Sequence, residues 1–206
     1  MDGRDDGGSR TDNPQQSSVR VGVVVGSTRP KRICAEIATL VASYLAAESL
    51  LCYVLIDLAE IDLPFLDEPR RPALGGYEHD HTRSWSKLVL SFDAFVFVFP
   101  QYNWGYPAPL KNALDFLYAE WKGKPAALVS YGTRGGARAA EQMRTVLTGL
   151  HMHVVADNVE IKIAADDVDT AGRLVDAKQV LADYLVRLKT IDAQLSGRLG
   201  YALGGS

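Results

Sequence analysis

Apolar positions along the chain fall into two alternating regimes. Short, nearly unbroken apolar runs occur at 20–25, 51–57, 94–99, 125–130 and 153–158. Between them lie longer segments in which apolar residues return every three or four positions. The short runs, bounded by small and polar residues, read as strands, and the longer segments as amphipathic helices. One helix is expected over 33–47, where Ile33, Ile37, Leu40, Val41 and Tyr44 share a side, and another over 82–92, with Trp85, Leu88, Val89 and Phe92 at the same spacing. A short helix over 110–118 follows Pro107 and Pro109, which suit a helix start, and two more are expected over 136–150 and 170–188. The third run reads Ala-Phe-Val-Phe-Val-Phe. It is apolar in both phases of the alternation, which predicts a central strand covered on both faces.

Strands alternating with helices predict an α/β fold with a mainly parallel sheet. Five strands and about five helices in this order fit a doubly wound, flavodoxin-like sheet of order 2-1-3-4-5 with helices on both faces. Ligands in such sheets bind beyond the C-terminal strand ends, where the strand order reverses. Residues 1–18 are mostly Asp, Gly, Ser, Asn and Gln and have almost nothing to bury, so disorder is expected there. The folded domain is expected over 19–192, and 193–206 as a flexible C-terminal tail, Gly-rich toward its end.

Composition narrows the partners. A net charge of −3 argues against nucleic acid or another polyanion. Only two cysteines occur, Cys34 and Cys52, so a disulfide framework is not expected and a cytoplasmic location is. No apolar run approaches the roughly 18 residues of a membrane span, and the N-terminal stretch lacks the apolar core of a secretory signal.

The loops after strands one, three and four carry the candidate chemistry. After strand one comes Gly26-Ser27-Thr28-Arg29-Pro30-Lys31-Arg32. Backbone N–H groups at the helix start, the Ser27 and Thr28 hydroxyls, and the guanidinium of Arg29 or Arg32 all favour an anion there. The turn lacks the later glycines of the dinucleotide fingerprint and the Gly-Lys-Ser/Thr of a P-loop. It suits one phosphate monoester with something larger behind it, a mononucleotide, with FMN foremost. After strand three, Pro100, Gln101, Tyr102, Asn103 and Trp104 supply two flat aromatic walls and an amide for a ring edge or ribityl chain. After strand four, Ser130, Tyr131, Gly132, Gly135 and Gly136 offer backbone that can approach a planar ring closely and donate N–H to it. For Tyr131 and Arg134, exposure to solvent or to a neighbouring subunit is an equal alternative.

With these loops in place, the chain resembles the NAD(P)H-dependent FMN reductase family over roughly residues 20–188. The motifs that carry the resemblance are GSTRPKR, HTRSW at His81 to Trp85, PQYNWGYPAPLKNALDFL from Pro100, and KPAALVSYGTRGGARAAEQMR from Lys124. The resemblance implies FMN as cofactor, with its phosphate at Ser27, Thr28 and Arg29, and with Arg32 substituting charge for a hydroxyl that relatives often have. It implies that Pro100, Gln101, Tyr102 and Asn103 line the isoalloxazine and ribityl chain, and that Ser130, Gly132, Gly135 and Gly136 border the other side of the ring. It further implies NADPH or NADH as co-substrate and small-molecule electron acceptors, quinones among them, reduced in alternation. A homodimer or homotetramer is implied too, with residues 63–80 and the short helix after Pro109 at the interface. Relatives often carry a Glu where Gln101 stands, and that Glu can join an ion pair between subunits. The alternatives are a flavin reductase supplying reduced FMN to a monooxygenase, and a non-enzymatic electron carrier.

No side-chain acid or base is expected, because the cofactor would carry the chemistry. No G-x-S-x-G elbow is present, and His81 is expected to cap or pack beside Trp85. The His79/His81 and His151/His153 pairs have no carboxylate or Cys at metal-like spacing, so no metal is expected. Cys34, in the first turn of its helix, is expected to act as a small buried hydrophobe.

Overall fold

Every residue of β3 (Ala94–Pro100) is buried in the computed structural model, which describes residues 19–200. It is the central strand of a five-stranded sheet. β1 (Arg20–Val25) and β2 (Cys52–Asp57) lie on one side of it, and β4 (Pro125–Gly132) and β5 (His153–Lys162) on the other. All four pairings are parallel, giving the expected order 2-1-3-4-5. The chain steps outward from β1 to β2 and then crosses back to β3, so strand order reverses between β1 and β3. A crevice at their C-terminal ends follows from that reversal.

Helices cover both faces. Alternate sheet residues such as Val21, Val23, Val96, Val98 and Val129 bury with α1 (Cys34–Glu48), α6 (Ala177–Ala182) and α7 (Leu185–Arg198). The opposite phase, including Val24, Phe95, Phe97, Phe99 and Leu128, buries with α3 (Asp80–Leu90), α4 (Ala108–Asp115) and α5 (Ala137–Gly149). A short α2 (Leu58–Ile61) follows β2 directly. The Phe-rich phase of β3 meets Trp121, which stands edge-on to Phe95 at 5.2 Å between centroids. Among the described residues, no helix is long and apolar enough to cross a membrane.

Three expectations change. The helix expected over 170–188 is two helices, α6 and α7, preceded by a hairpin in which Val168 and Leu174 bridge antiparallel. The Asp176 carboxylate caps α6 by accepting from the Gln179 N–H at 2.9 Å, which sets its start well beyond residue 170. Residues 193–198, expected within a flexible tail, are instead helical: α7 runs to Arg198 with Leu195 fully buried against the sheet, and 201–206 lie outside the described residues. Apolar spacing of three and four from Leu188 through Ile191 to Leu195 continues the buried stripe past Asp192. The expected N-terminal tail, 1–18, lies outside the described residues.

β5 also outruns its expected end at 158. Its register against β4 shifts between Ala126 and Leu128. Arg144 of α5 holds that irregular stretch, donating to the Val155 and Ala156 carbonyls and to Asn158 Oδ1. An edge strand with one exposed side carries charge at Asp157, Glu160 and Lys162, which conceals it from a reading by apolar runs.

Candidate functional site

The three loops converge at the C-terminal edge of β1, β3 and β4, and hydrogen bonds tie them together. Gly26 N–H donates to the Val98 carbonyl at 2.8 Å, closing the end of β1 onto β3. Ser27, fully buried, brings its hydroxyl 2.9 Å from the Tyr102 hydroxyl. Gln101 N–H donates to the Tyr131 carbonyl at 2.9 Å, and Gln101 Oε1 accepts from the Ala139 N–H at 3.2 Å. The side chain of Gln101 thus caps the first turn of α5 and binds the loop after β3 to the loop after β4.

The first loop presents its donors as expected. Thr28 and Arg29 are partly or wholly exposed, and the Arg29 guanidinium lies 6.0 Å from the Tyr102 ring centroid. Among the described residues, no hydrogen bond occupies the N–H groups of Thr28, Lys31 or Arg32. The first N–H groups of α1 add to this set, since a helix start leaves its leading amides without intrahelical partners. Such a cluster of amide donors with one exposed guanidinium fits a phosphate monoester.

Arg32 is directed elsewhere. Its guanidinium pairs with Asp57 at 2.6 Å, and the same carboxylate caps α2 by accepting from the Ala59 N–H at 3.0 Å. The contact joins the end of the first loop to the end of β2. Its charge is therefore balanced locally by Asp57, while its buried Nε keeps no partner among the described residues.

The second loop is a tight turn. Tyr102 N–H donates to the Gly105 carbonyl at 2.8 Å and Gly105 N–H donates back to the Tyr102 carbonyl at 2.9 Å. Between them Asn103 and Trp104 take φ of 45° and 73°, both left-handed. This is the pattern of a type I′ turn, in which Asn is common at the first central position and Gly at the second. A Trp there is strained, and its side chain is 60% exposed. Pro100 is buried as the last residue of β3, while Tyr102 and Asn103 are exposed at the rim.

The third loop holds its shape through Ser130 and two left-handed glycines. The fully buried Ser130 hydroxyl donates to the Gly135 carbonyl at 2.8 Å. Gly136 has φ of 82°, and a Cβ there would stand 3.0 Å from Ser130 Cβ and 3.1 Å from the Tyr131 carbonyl. Gly132 is half-buried and close to Gln101. Ser130 therefore acts on the loop itself. Tyr131 departs from expectation more clearly. It is 5% exposed and packs beside Cys34 in the core under α1, where burial holds its phenol far above the usual range. The strand alternation explains this: Val129 and Tyr131 share the α1 face, while Ser130 faces the other way.

Cys34 is buried as expected, with its thiol donating to the Val98 carbonyl at 3.3 Å. Burial pushes that thiol up to about 11, so it stays neutral despite its place at a helix start. The histidine pairs have separate duties. His79 and His81 stack at 5.2 Å, and His81 Nε2 lies 2.9 Å from Asp67. His151 sits in the left-handed turn before β5, with its Nε2 3.0 Å from the Tyr118 hydroxyl. It does not share a strand face with His153.

Beside the first loop, a groove of ≈ 500 Å³ is lined by Thr28, Leu58, Leu63, Phe65, Pro109 and Ala113 among others. Asn112 fixes its rim, donating to the Pro64 carbonyl at 2.7 Å and accepting from the Leu66 N–H at 3.0 Å. Tyr77 adds a second anchor for this segment by donating to Glu120 at 2.9 Å. Of the expected site residues only Thr28 reaches the groove. Sequence reading missed these anchors, because Asn112 and Glu120 lie on other elements and no local pattern marks them.

Residues 19–166 match the family model described as NADPH-dependent FMN reductase. The chain is 41% identical over 181 residues to the NAD(P)H-dependent FMN reductase LOT6 of Saccharomyces cerevisiae, covering 82% of this chain and 94% of that one. It is 33% identical over 125 residues to an NADPH:quinone oxidoreductase of Arabidopsis thaliana, covering 56% and 63%. In structure it is similar to the flavoenzyme NAD(P)H:(acceptor) oxidoreductase FerB of Paracoccus denitrificans, with a TM-score of 0.67 at 22% identity over 87% of this chain and 98% of that one. The crevice at the β1/β3 switch point, its amide-rich first loop and the family match agree: the chain belongs to the NADPH-dependent FMN reductase family of flavin-dependent oxidoreductases.

Proposed function

We propose that the protein reduces quinones or similar small electrophiles with NAD(P)H, the two substrates using one exposed side of the site in turn. Convergence of the loops after β1, β3 and β4, marked by the Ser27–Tyr102 contact at 2.9 Å, carries this reading. Thr28 and Arg29 would hold the FMN phosphate through the amides of the first loop, the Thr28 hydroxyl and the guanidinium, with Ser27 buried behind them and shaping the loop. Tyr102, Asn103 and Trp104 stand along one side of the ring, and the Gly132–Gly136 backbone borders the other. When bound, FMN supplies two-electron acceptance and donation of hydride. The residues bind and orient it and limit water, and none is asked to act as general acid or base.

We also propose that the protein works as a homodimer or homotetramer, through the segment 63–80 and α4. Support comes from Phe65, 84% exposed at the edge of an apolar groove, on a segment pinned by Asn112 and Tyr77. Free Cys34 and Cys52 accord with action in the cytoplasm.

FMN-loaded protein mixed anaerobically with NADPH or NADH in a stopped-flow instrument tests the reading. Rapid loss of the oxidised-flavin absorbance, its return on adding a quinone, and parallel lines in double-reciprocal plots are expected. A flavin that stays oxidised with both nicotinamides overturns the proposal. Light scattering that gives the mass of one chain overturns the oligomer.

A further inference from the structure

The first loop touches an element outside the three-loop crevice. Between β5 and α6 the chain forms the small hairpin bridged by Val168 and Leu174. Its turn is held internally: Gly172 N–H donates to the Asp169 carbonyl at 2.9 Å, and Arg173 N–H donates to Asp169 Oδ1 at 2.8 Å. Its base is anchored to α1. Leu174 is buried in the cluster beneath that helix, and its N–H donates to Glu36 Oε2 at 3.2 Å.

The tip of the hairpin ends on Lys31. A Cβ added to Gly172 would stand 3.1 Å from Lys31 Cβ and 3.2 Å from the Lys31 carbonyl oxygen. Gly172 also has φ of +81°, so a side chain is disfavoured there by conformation as well as by space. Glycine at position 172 lets the hairpin lie this close without displacing Lys31.

Lys31 is a point of strain in the first loop. Pro30 and Lys31 form a turn, and Lys31 has φ of 55°. Proline followed by a left-handed residue is the pattern of a type II turn, which favours Gly or Asn at the second central position. A lysine held there needs its surroundings to hold it, and strained backbone of this kind persists only where neighbours over-determine it. Gly172 packs on that residue. The turn lies between Arg29 and the start of α1, so its conformation sets where the Thr28 and Arg29 donors stand relative to the leading amides of the helix.

We propose that the 168–174 hairpin is a buttress for the Pro30–Lys31 turn, and that Gly172 is a positioning residue for recognition of the FMN phosphate. The inference rests on the reading of the first loop as the phosphate seat. The contacts named above join the hairpin to the first loop and to α1. Loss of the buttress should therefore weaken phosphate recognition and spare recognition of the ring.

Comparing FMN with riboflavin, which lacks only the phosphate, isolates that effect. The experiment titrates apo-protein with each flavin and follows quenching of flavin fluorescence, for the wild type, Gly172→Val and Asp169→Ala. The wild type should prefer FMN. Gly172→Val should weaken FMN binding by about tenfold, the scale of a single charge-assisted hydrogen bond, and leave riboflavin within about twofold. Asp169→Ala, which loosens the turn without adding bulk at Lys31, should show a smaller loss in the same sense, and it decides the matter if Gly172→Val does not fold. An FMN-to-riboflavin ratio unchanged in the folded variants overturns the proposal, as does an equal loss for both flavins. A wild type that binds both flavins equally overturns the phosphate-seat reading itself, and a wild type that prefers FMN leaves that reading standing whatever the variants do.

Discussion

The Tyr102 hydroxyl lies 2.9 Å from the fully buried Ser27 hydroxyl, joining the turn after β3 to the turn after β1. One aromatic residue thus has two tasks: its ring stands at the rim and its phenol helps shape the first loop. Tyr102→Phe keeps the ring and removes the link. FMN affinity of the apo-protein, read by fluorescence titration, should fall about three- to tenfold, the range of a single hydrogen bond. Ser27→Ala should cost a similar factor. The double variant should lose less than the product of the two, because each change already removes the shared hydrogen bond. Losses that multiply fully would mean the two hydroxyls act independently.

Arg29 and Arg32 should separate cleanly. Arg29 is exposed, and Arg29→Ala should weaken FMN binding at least about tenfold with little change in melting temperature. Arg32 and Asp57 form a pair with side chains 20% and 16% exposed. Arg32→Ala leaves a mostly buried carboxylate without its cation and should cost about 1–3 kcal/mol of stability. Its preference for FMN over riboflavin should change much less than that of Arg29→Ala. Denaturant melts and flavin titrations on both variants check this, and a stable Arg32→Ala with poor FMN selectivity would reverse the assignment.

Trp104 pairs a strained backbone with an exposed ring. Relief of left-handed strain is worth about 1–2 kcal/mol, against about 0.5–1 kcal/mol for the added freedom of glycine in the unfolded chain. Trp104→Gly should therefore raise stability by about 0.5–1 kcal/mol, a small rise in melting temperature. The same change should raise KM for the electron acceptor, since the flat wall is gone. A fall in melting temperature would count against strain at this turn.

Cys34 should give a pH signature. Its thiol is held up to about 11 in the fold, against 9.0 for the free side chain. Below pH 9 both folded and unfolded chains keep the proton, and the residue's contribution is fully present. Above it the unfolded chain ionises first, and the contribution is lost as pH rises through about 11, by about 2–3 kcal/mol in all. Cys34→Ala should be less stable than wild type at neutral pH, and the difference should shrink between pH 9 and 11. Melts of both proteins across that window decide it, and a constant difference would remove the thiol as the cause.

Likeness to doubly wound folds supplied the strand order and the edge of the sheet where a ligand belongs; the alternation of apolar runs and helical stripes determined the class of fold and its central strand. These follow from local spacing: a run such as 94–99, apolar in both phases, has to lie inside a sheet covered on both faces. The motifs around Gly26, Pro100 and Gly132, through the family they resemble, likewise sufficed to name FMN. Tertiary structure decided what each side chain does there. Tyr131 turned into the core by strand phase, Arg32 was taken by Asp57, and Gln101 became a helix cap, all through partners distant in sequence. It also brought Gly172 onto Lys31, a juxtaposition spanning most of the chain that no local pattern encodes. Periodicity records which face a residue presents, whereas the partner waiting on that face is set only when the layers pack.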